Sequence, residues 1–116
     1  MSLRISSAHI LMRGPYPLFP QQVEIRVPPH VKGVYCLAKT RNGIKIVART
    51  DQNLRETIKS FTHQYTVFWY EPATSDRECY DIQCRQFHKC VDTDTLESTD
   101  HPEPPKEGCT CPICGK

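Results

Sequence analysis

Seven cysteines in a chain of 116 residues cannot all pair within that chain, because the count is odd. A fully disulfide-bonded framework is therefore excluded. Two of the seven stand in Cys111-Pro112-Ile113-Cys114-Gly115, a C-x-x-C followed by glycine. In such a knuckle the backbone N–H groups of the turn point at the sulfurs, glycine relieves the turn, and the two thiolates converge on a metal. One knuckle supplies two ligands and a tetrahedral site needs two more. Cys84 and His88 are the best candidates, because an i, i+4 spacing puts both on one helix face. The expected site is a structural zinc held by Cys84, His88, Cys111 and Cys114, with His101 and Cys109 as substitutes. Cys36, Cys79 and Cys90 read as core or surface thiols, since free cysteine behaves as a small hydrophobe. A redox dithiol at Cys111 and Cys114 is disfavoured, because such pairs usually open a helix inside a βαβ unit.

The chain is 38% hydrophobic and 24% charged, with ten prolines. That composition supports one domain with one core and disfavours a secreted fold, a collagen and a disordered chain. No run of about 18 apolar residues occurs, so no membrane span is expected. The segment around His9 and Met12, interrupted by Arg4 and Arg13, is too short for a signal peptide. A cytoplasmic protein with reduced thiols is the expectation, which again moves the cysteines toward metal. The net charge is +2, but it is unevenly spread: residues 1–91 carry +6 and residues 92–108 carry −5. The acidic stretch contains three prolines and no apolar period, so it reads as a loop. With little apolar surface of its own, it is expected to need the zinc for closure.

Residues 1–32 read as a proline-punctuated extension packing on the core. In it Val23, Ile25 and Val27 alternate with charged residues, a weak edge-strand pattern. Residues 33–39 and 44–50 are two strands joined across Asn42-Gly43, a strong hairpin pair. Residues 51–61 form a helix capped by Asp51, with Leu54, Ile58 and Phe61 on one face. Residues 65–70 form a third strand ended by Pro72. Ser75-Asp76-Arg77-Glu78 is a capping box opening a helix through about Lys89. The expected class is α+β: a small three-stranded antiparallel sheet flanked by helices over 33–91, an acidic loop over 92–108 and a zinc knuckle over 109–116.

Gly33-Val34-Tyr35, then Ile46-Val47-Ala48-Arg49-Thr50, Asn53-Leu54-Arg55 and Glu78-Cys79-Tyr80-Asp81-Ile82-Gln83-Cys84, resembles the GIY-YIG nuclease superfamily over residues 33–89. The tail, with His101-Pro102 before the knuckle, resembles small bacterial members ending in a cysteine knuckle. The resemblance implies two tyrosines and an arginine around the scissile phosphate and a glutamate holding one divalent metal. Tyr35 matches the first tyrosine. Ile46 stands for the second, Thr57 for the arginine and Gln83 for the glutamate. Arg55 lies two residues early, roughly 200° around the helix. A neutral amide holds Mg²⁺ far more weakly than a carboxylate, and isoleucine moves no proton. The resemblance therefore implies a nuclease-like module without the catalytic set, binding nucleic acid or a protein partner and no membrane.

The basic body offers Lys45, Arg49, Arg55 and Lys59 for phosphate contact, with Arg77 and Arg85 as further candidates. The alternative is a divalent-metal-dependent DNA endonuclease with a rewired site using Tyr35, Arg55 and Asp81 or Glu78. A third reading is a redox or zinc-sensing module.

Overall fold

The computed structural model describes residues 12–41, 43–93, 95–105 and 109–115. Its spine is strand β2 (Lys32–Ala38), six of whose seven residues are buried. A strand covered on both faces has to be apolar nearly throughout, and Gly-Val-Tyr-Cys-Leu-Ala is. β2 pairs antiparallel with β3 (Ile44–Thr50) on one side and with β4 (Val67–Ala73) on the other. β1 (Arg13–Pro17) pairs antiparallel with the far side of β4, giving the order β1-β4-β2-β3.

Alternation along β2 sorts the core into two layers. Tyr35 and Leu37 face helices α1 (Pro20–Arg26) and α2 (Leu54–Lys59), together with Val23, Val27, Leu54, Ile58, Phe68 and Tyr70. Val34, Cys36 and Ala38 face the opposite way with Trp69, and are covered by Cys79 and Cys90 of α3 (Asp76–Cys90). A short 3-10 turn, Val91–Thr93, follows α3.

Four strands stand where three were expected, and the extra one comes from the proline-punctuated extension. An edge strand needs hydrogen bonds on one side only, so prolines are tolerated there and blunt further pairing. The edge-strand reading of Val23, Ile25 and Val27 is corrected to a helix. Pro20 opens α1, Val23 and Val27 are buried at i, i+4, and Ile25 is 75% exposed. Pro at the first helical position costs no hydrogen bond. The carbonyls at the end of α1 are taken by side chains: Arg55 donates to Val27 O (2.8 Å) and Glu24 O (3.0 Å), and Tyr70 donates to Arg26 O (2.7 Å).

The cap of α2 is Asn53, whose side chain accepts from the Glu56 N–H, rather than Asp51. β4 runs through Pro72 to Ala73, beyond its last β1 pair at Tyr70. Ser75 caps α3 as expected by accepting from the Glu78 N–H at 3.0 Å, and the Glu78 carboxylate reaches back to Thr74.

The expectation that only a metal could close residues 92–108 is also corrected. Thr95 donates to Ile44 O and the Glu97 N–H to Lys45 O, both at 2.8 Å, along the outer edge of β3. Leu96 packs against the α3-side core. Tyr65 donates to the Glu97 carboxylate (2.8 Å), and Arg49 donates to Glu103 O (2.7 Å). The acidic segment lacks a core of its own, but it borrows an open sheet edge.

Gly33 marks the tightest approach in the sheet. A Cβ there would lie 2.6 Å from Glu71 O, 2.7 Å from Leu54 Cδ2 and 3.1 Å from Pro72 Cα. Two of these are backbone atoms of β4, which cannot swing away. Gly33→Ala is expected to lower stability by about 2 kcal/mol or more, as overpacking does. Urea unfolding followed by Trp69 fluorescence measures it, and an unchanged midpoint would contradict the β2–β4 register that sets Gly33 opposite Pro72.

Candidate metal centre

Three segments meet at the C-terminal turn of α3. The helix contributes His88, the loop along β3 contributes His101, and the turn after Cys109 contributes Cys111 and Cys114. Each offers one ligand atom, and the four atoms lie within 4.8 Å of one another, an arrangement that can hold a metal ion. Tetrahedral sites with N and S ligands have donor–donor edges of about 3.3–3.8 Å, because metal–N is near 2.0–2.1 Å and metal–S near 2.3 Å. Cys114 Sγ and His101 Nε2, 3.3 Å apart, already stand at such an edge.

The local environment orients each donor. His101 Nδ1 lies 2.8 Å from Pro102 O, which leaves Nε2 facing the cluster. A ring N–H held by a carbonyl in this way fixes the tautomer of a metal-binding histidine. Phe87 packs edge-on against both imidazoles, with ring centroids 5.4 Å from His88 and 5.7 Å from His101. His88 Nε2 is buried and has no hydrogen-bond partner among the described residues. Leaving such an atom unsatisfied costs about 1–3 kcal/mol, a cost that a bound ion could remove.

In the knuckle, the Ile113 N–H donates to Cys111 Sγ (3.4 Å) and the Gly115 N–H to Cys111 O (2.9 Å). Gly115 has φ +81°, a left-handed conformation that glycine adopts without strain. Burial opposes ionisation of Cys111. The Cys114 and Ile113 N–H groups, with hydrogen bonds from His101 and Cys84, outweigh it and lower the thiol to about 5.

Three of the four sequence-derived candidates, His88, Cys111 and Cys114, are thus brought together. The fourth donor is His101, the substitute, in place of Cys84. The i, i+4 spacing does put Cys84 on the His88 side of α3, but one turn deeper. There it is fully buried with Tyr80, Cys109 and Cys111, and burial pushes its thiol up to about 12. Cys109, the other substitute, belongs to that buried group. Cys36, Cys79 and Cys90 are buried core thiols, and all seven cysteines are free.

The positions carried by the family resemblance are split between the two faces of the sheet. Tyr35 is buried against Phe61, Ile46 packs on the same layer, and Thr57 lies on α2, the helix whose Leu54 and Ile58 cover that layer. Gln83 lies on α3, on the opposite face of the sheet, where its side-chain oxygen accepts from Arg49 Nη1 at 2.7 Å. Asp81 and Glu78 lie on that same helix.

Three of the four candidate phosphate contacts are engaged within the fold. Arg49 bridges β3, Gln83 and Glu103 O, with its Nε 3.6 Å from Asp51. Arg55 holds the end of α1, and Lys59 pairs with Glu24 at 2.6 Å. Lys45 alone of the four has no side-chain partner among the described residues. Sequence reasoning named Arg85 as a further candidate but missed Lys89 and the pocket the two line. A cavity of about 430 Å³ between α3 and the knuckle is lined by Arg85, His88, Lys89 and Ile113. The i, i+4 spacing of Arg85 and Lys89 was the available signal. Ile113, 51% exposed, gives that cavity an apolar wall.

Comparisons of the chain with family models, with curated proteins and with solved structures find no match. No helix among the described residues is long and apolar enough to cross a membrane.

If these four side chains are the ligands, His101→Ala, Cys111→Ser and Cys114→Ser each lose bound metal, whereas Cys84→Ala keeps it. Elemental analysis of the purified variants gives the ratio of metal to chain. Loss of metal in Cys84→Ala with retention in His101→Ala would restore the spacing-derived set.

Proposed function

We propose that this chain is a zinc-stabilised, non-catalytic module on a GIY-YIG-like frame, and that it binds nucleic acid beside its metal centre. The observation carrying the metal half is the convergence of two imidazoles and two thiols from three chain segments around the unpartnered His88 nitrogen. Two sulfur and two nitrogen donors in a compact set suit Zn²⁺ better than Mg²⁺ or Ca²⁺, which take oxygen. With four protein ligands the site is closed and leaves no position for a reacting water, so its role is structural.

The non-catalytic reading is supported by Ile46 and Gln83 at the family's tyrosine and glutamate positions, and by the sheet that separates Gln83 from Tyr35. The amide of Gln83 is committed to Arg49, a cation that is thereby held within the fold rather than left for phosphate.

The nucleic-acid half rests on Arg85 and Lys89. Their side chains have no partner among the described residues, and they flank the apolar wall of Ile113. Free cations beside an apolar surface suit a phosphate backbone with an unstacked base.

The experiment has two arms. Zinc analysis is expected to give one ion per chain, and chelation is expected to lower the melting temperature, because structural zinc contributes folding free energy directly. Anisotropy with a labelled single-stranded oligonucleotide is expected to show salt-sensitive binding. In Arg85→Ala/Lys89→Ala the slope of log Kobs against log salt should shrink by about 1.4 for two lost phosphate contacts, at ~0.7 each for a single strand. No cleavage is expected with Mg²⁺ or Mn²⁺. Cleavage that disappears in Tyr35→Phe would establish the nuclease reading instead, and an unchanged salt slope would remove the nucleic-acid reading.

A further inference from the structure

Cys84 is not one of the four converging donors, yet it touches the site from below. It packs with Cys111 inside a buried group completed by Tyr80 and Cys109. Cys111 is therefore shared: one side faces Cys114 and the two histidines, the other faces Cys84. Exposure falls along this row of sulfurs. Cys114 is exposed, Cys111 is 2% exposed and Cys84 is fully buried.

We infer that, once the metal has left, oxidation by hydrogen peroxide runs inward along these three sulfurs and ends as a Cys84–Cys111 disulfide. That bond joins α3 to the tail where the metal had joined them. In the first step the Cys114 sulfur attacks the O–O bond. Cys114 becomes a sulfenic acid and one water leaves; sulfur loses two electrons and the peroxide gains them. In the second, the Cys111 thiol attacks the Cys114 sulfur. An S–S bond forms, the S–O bond breaks, and the hydroxyl leaves as water with the thiol's proton. In the third, Cys84 attacks the Cys111 sulfur. The Cys111–Cys114 bond breaks, and Cys114 departs as a thiol with the proton from Cys84. The sum is one peroxide reduced to two waters and two thiols oxidised, with Cys114 regenerated.

The end point follows from position. A Cys111–Cys114 bond would sit on an exposed turn, open to exchange with any solvent thiol. A Cys84–Cys111 bond has both sulfurs buried, one of them on a regular helix. Metal occupancy opposes the relay, because zinc holds the Cys111 and Cys114 sulfurs as ligands. The inference takes from the functional proposal only the metal site, and its test separates the two.

The full chain is divided into zinc-loaded and chelator-stripped samples, treated with dilute hydrogen peroxide, alkylated and digested. Mass spectrometry with fragmentation then assigns the linked sulfurs. The stripped wild type is expected to carry Cys84–Cys111 as its dominant disulfide, with Cys114 alkylated, and the zinc-loaded sample to form it more slowly. Cys84→Ser should stop at Cys111–Cys114, and Cys114→Ser should lose most of the Cys84–Cys111 product at matched exposure. Cys109→Ser should still form it, which guards against a folding defect in the Cys84 variant. A dominant Cys111–Cys114 or Cys84–Cys109 bond in stripped wild type, or no disulfide at all, would overturn the inference. A chain that binds no zinc yet forms Cys84–Cys111 would support it while contradicting the metal reading.

Discussion

The last turn of α3 holds a buried ring nitrogen, His88 Nε2, that no described protein group satisfies, and the tail is arranged around it. Polar atoms removed from water are costly unless paired. Here the surroundings are themselves donors: an imidazole whose other nitrogen is held by Pro102 O, and two sulfurs on a tight turn. On the zinc proposal the ion resolves all of these demands at once. It also explains why a proline-rich tail with almost no apolar surface lies against the helix. The sheet does not depend on it, because β2 and β4 are covered by apolar side chains on both faces.

The division of labour along the tail has a physical logic. Residues 95–97 are fixed by the unpaired edge of β3, a demand the sheet makes whether or not metal is present. Among the described residues, 101–105 and 109–115 have no such edge, and the His101 and knuckle contacts help to hold them. Arg49 joins the two regimes: it leaves β3, is held by Gln83 of α3 and grips Glu103 O just beyond His101. A residue that reads in sequence as a phosphate contact is thus a brace that helps set the path of the loop.

What was legible in the sequence was what local periodicity controls. The hairpin and the Ser75 cap follow from spacing alone. The alternation of Val23, Ile25 and Val27 misled, because two buried residues at i and i+4 satisfy both a strand and a helix. Pro20 was the deciding signal, since proline opens a helix at no cost in hydrogen bonds. The spacing of Cys84 and His88 correctly put both on one side of α3. It could not say which of them meets the knuckle. That is decided by where the loop delivers His101, and the loop's path is set by contacts such as Tyr65 with Glu97, 32 residues apart in sequence.

The structural role proposed for the tail turns on which atoms surround the metal. X-ray absorption at the zinc edge of the purified, zinc-loaded chain reads that shell directly. The predicted shell holds two sulfurs at about 2.3 Å and two imidazole nitrogens at about 2.0–2.1 Å, with no oxygen. Three sulfurs and one nitrogen would contradict it, since Cys84 would then have displaced a histidine. An oxygen in the shell would contradict it too, because the site would be open to water and the structural role would fail.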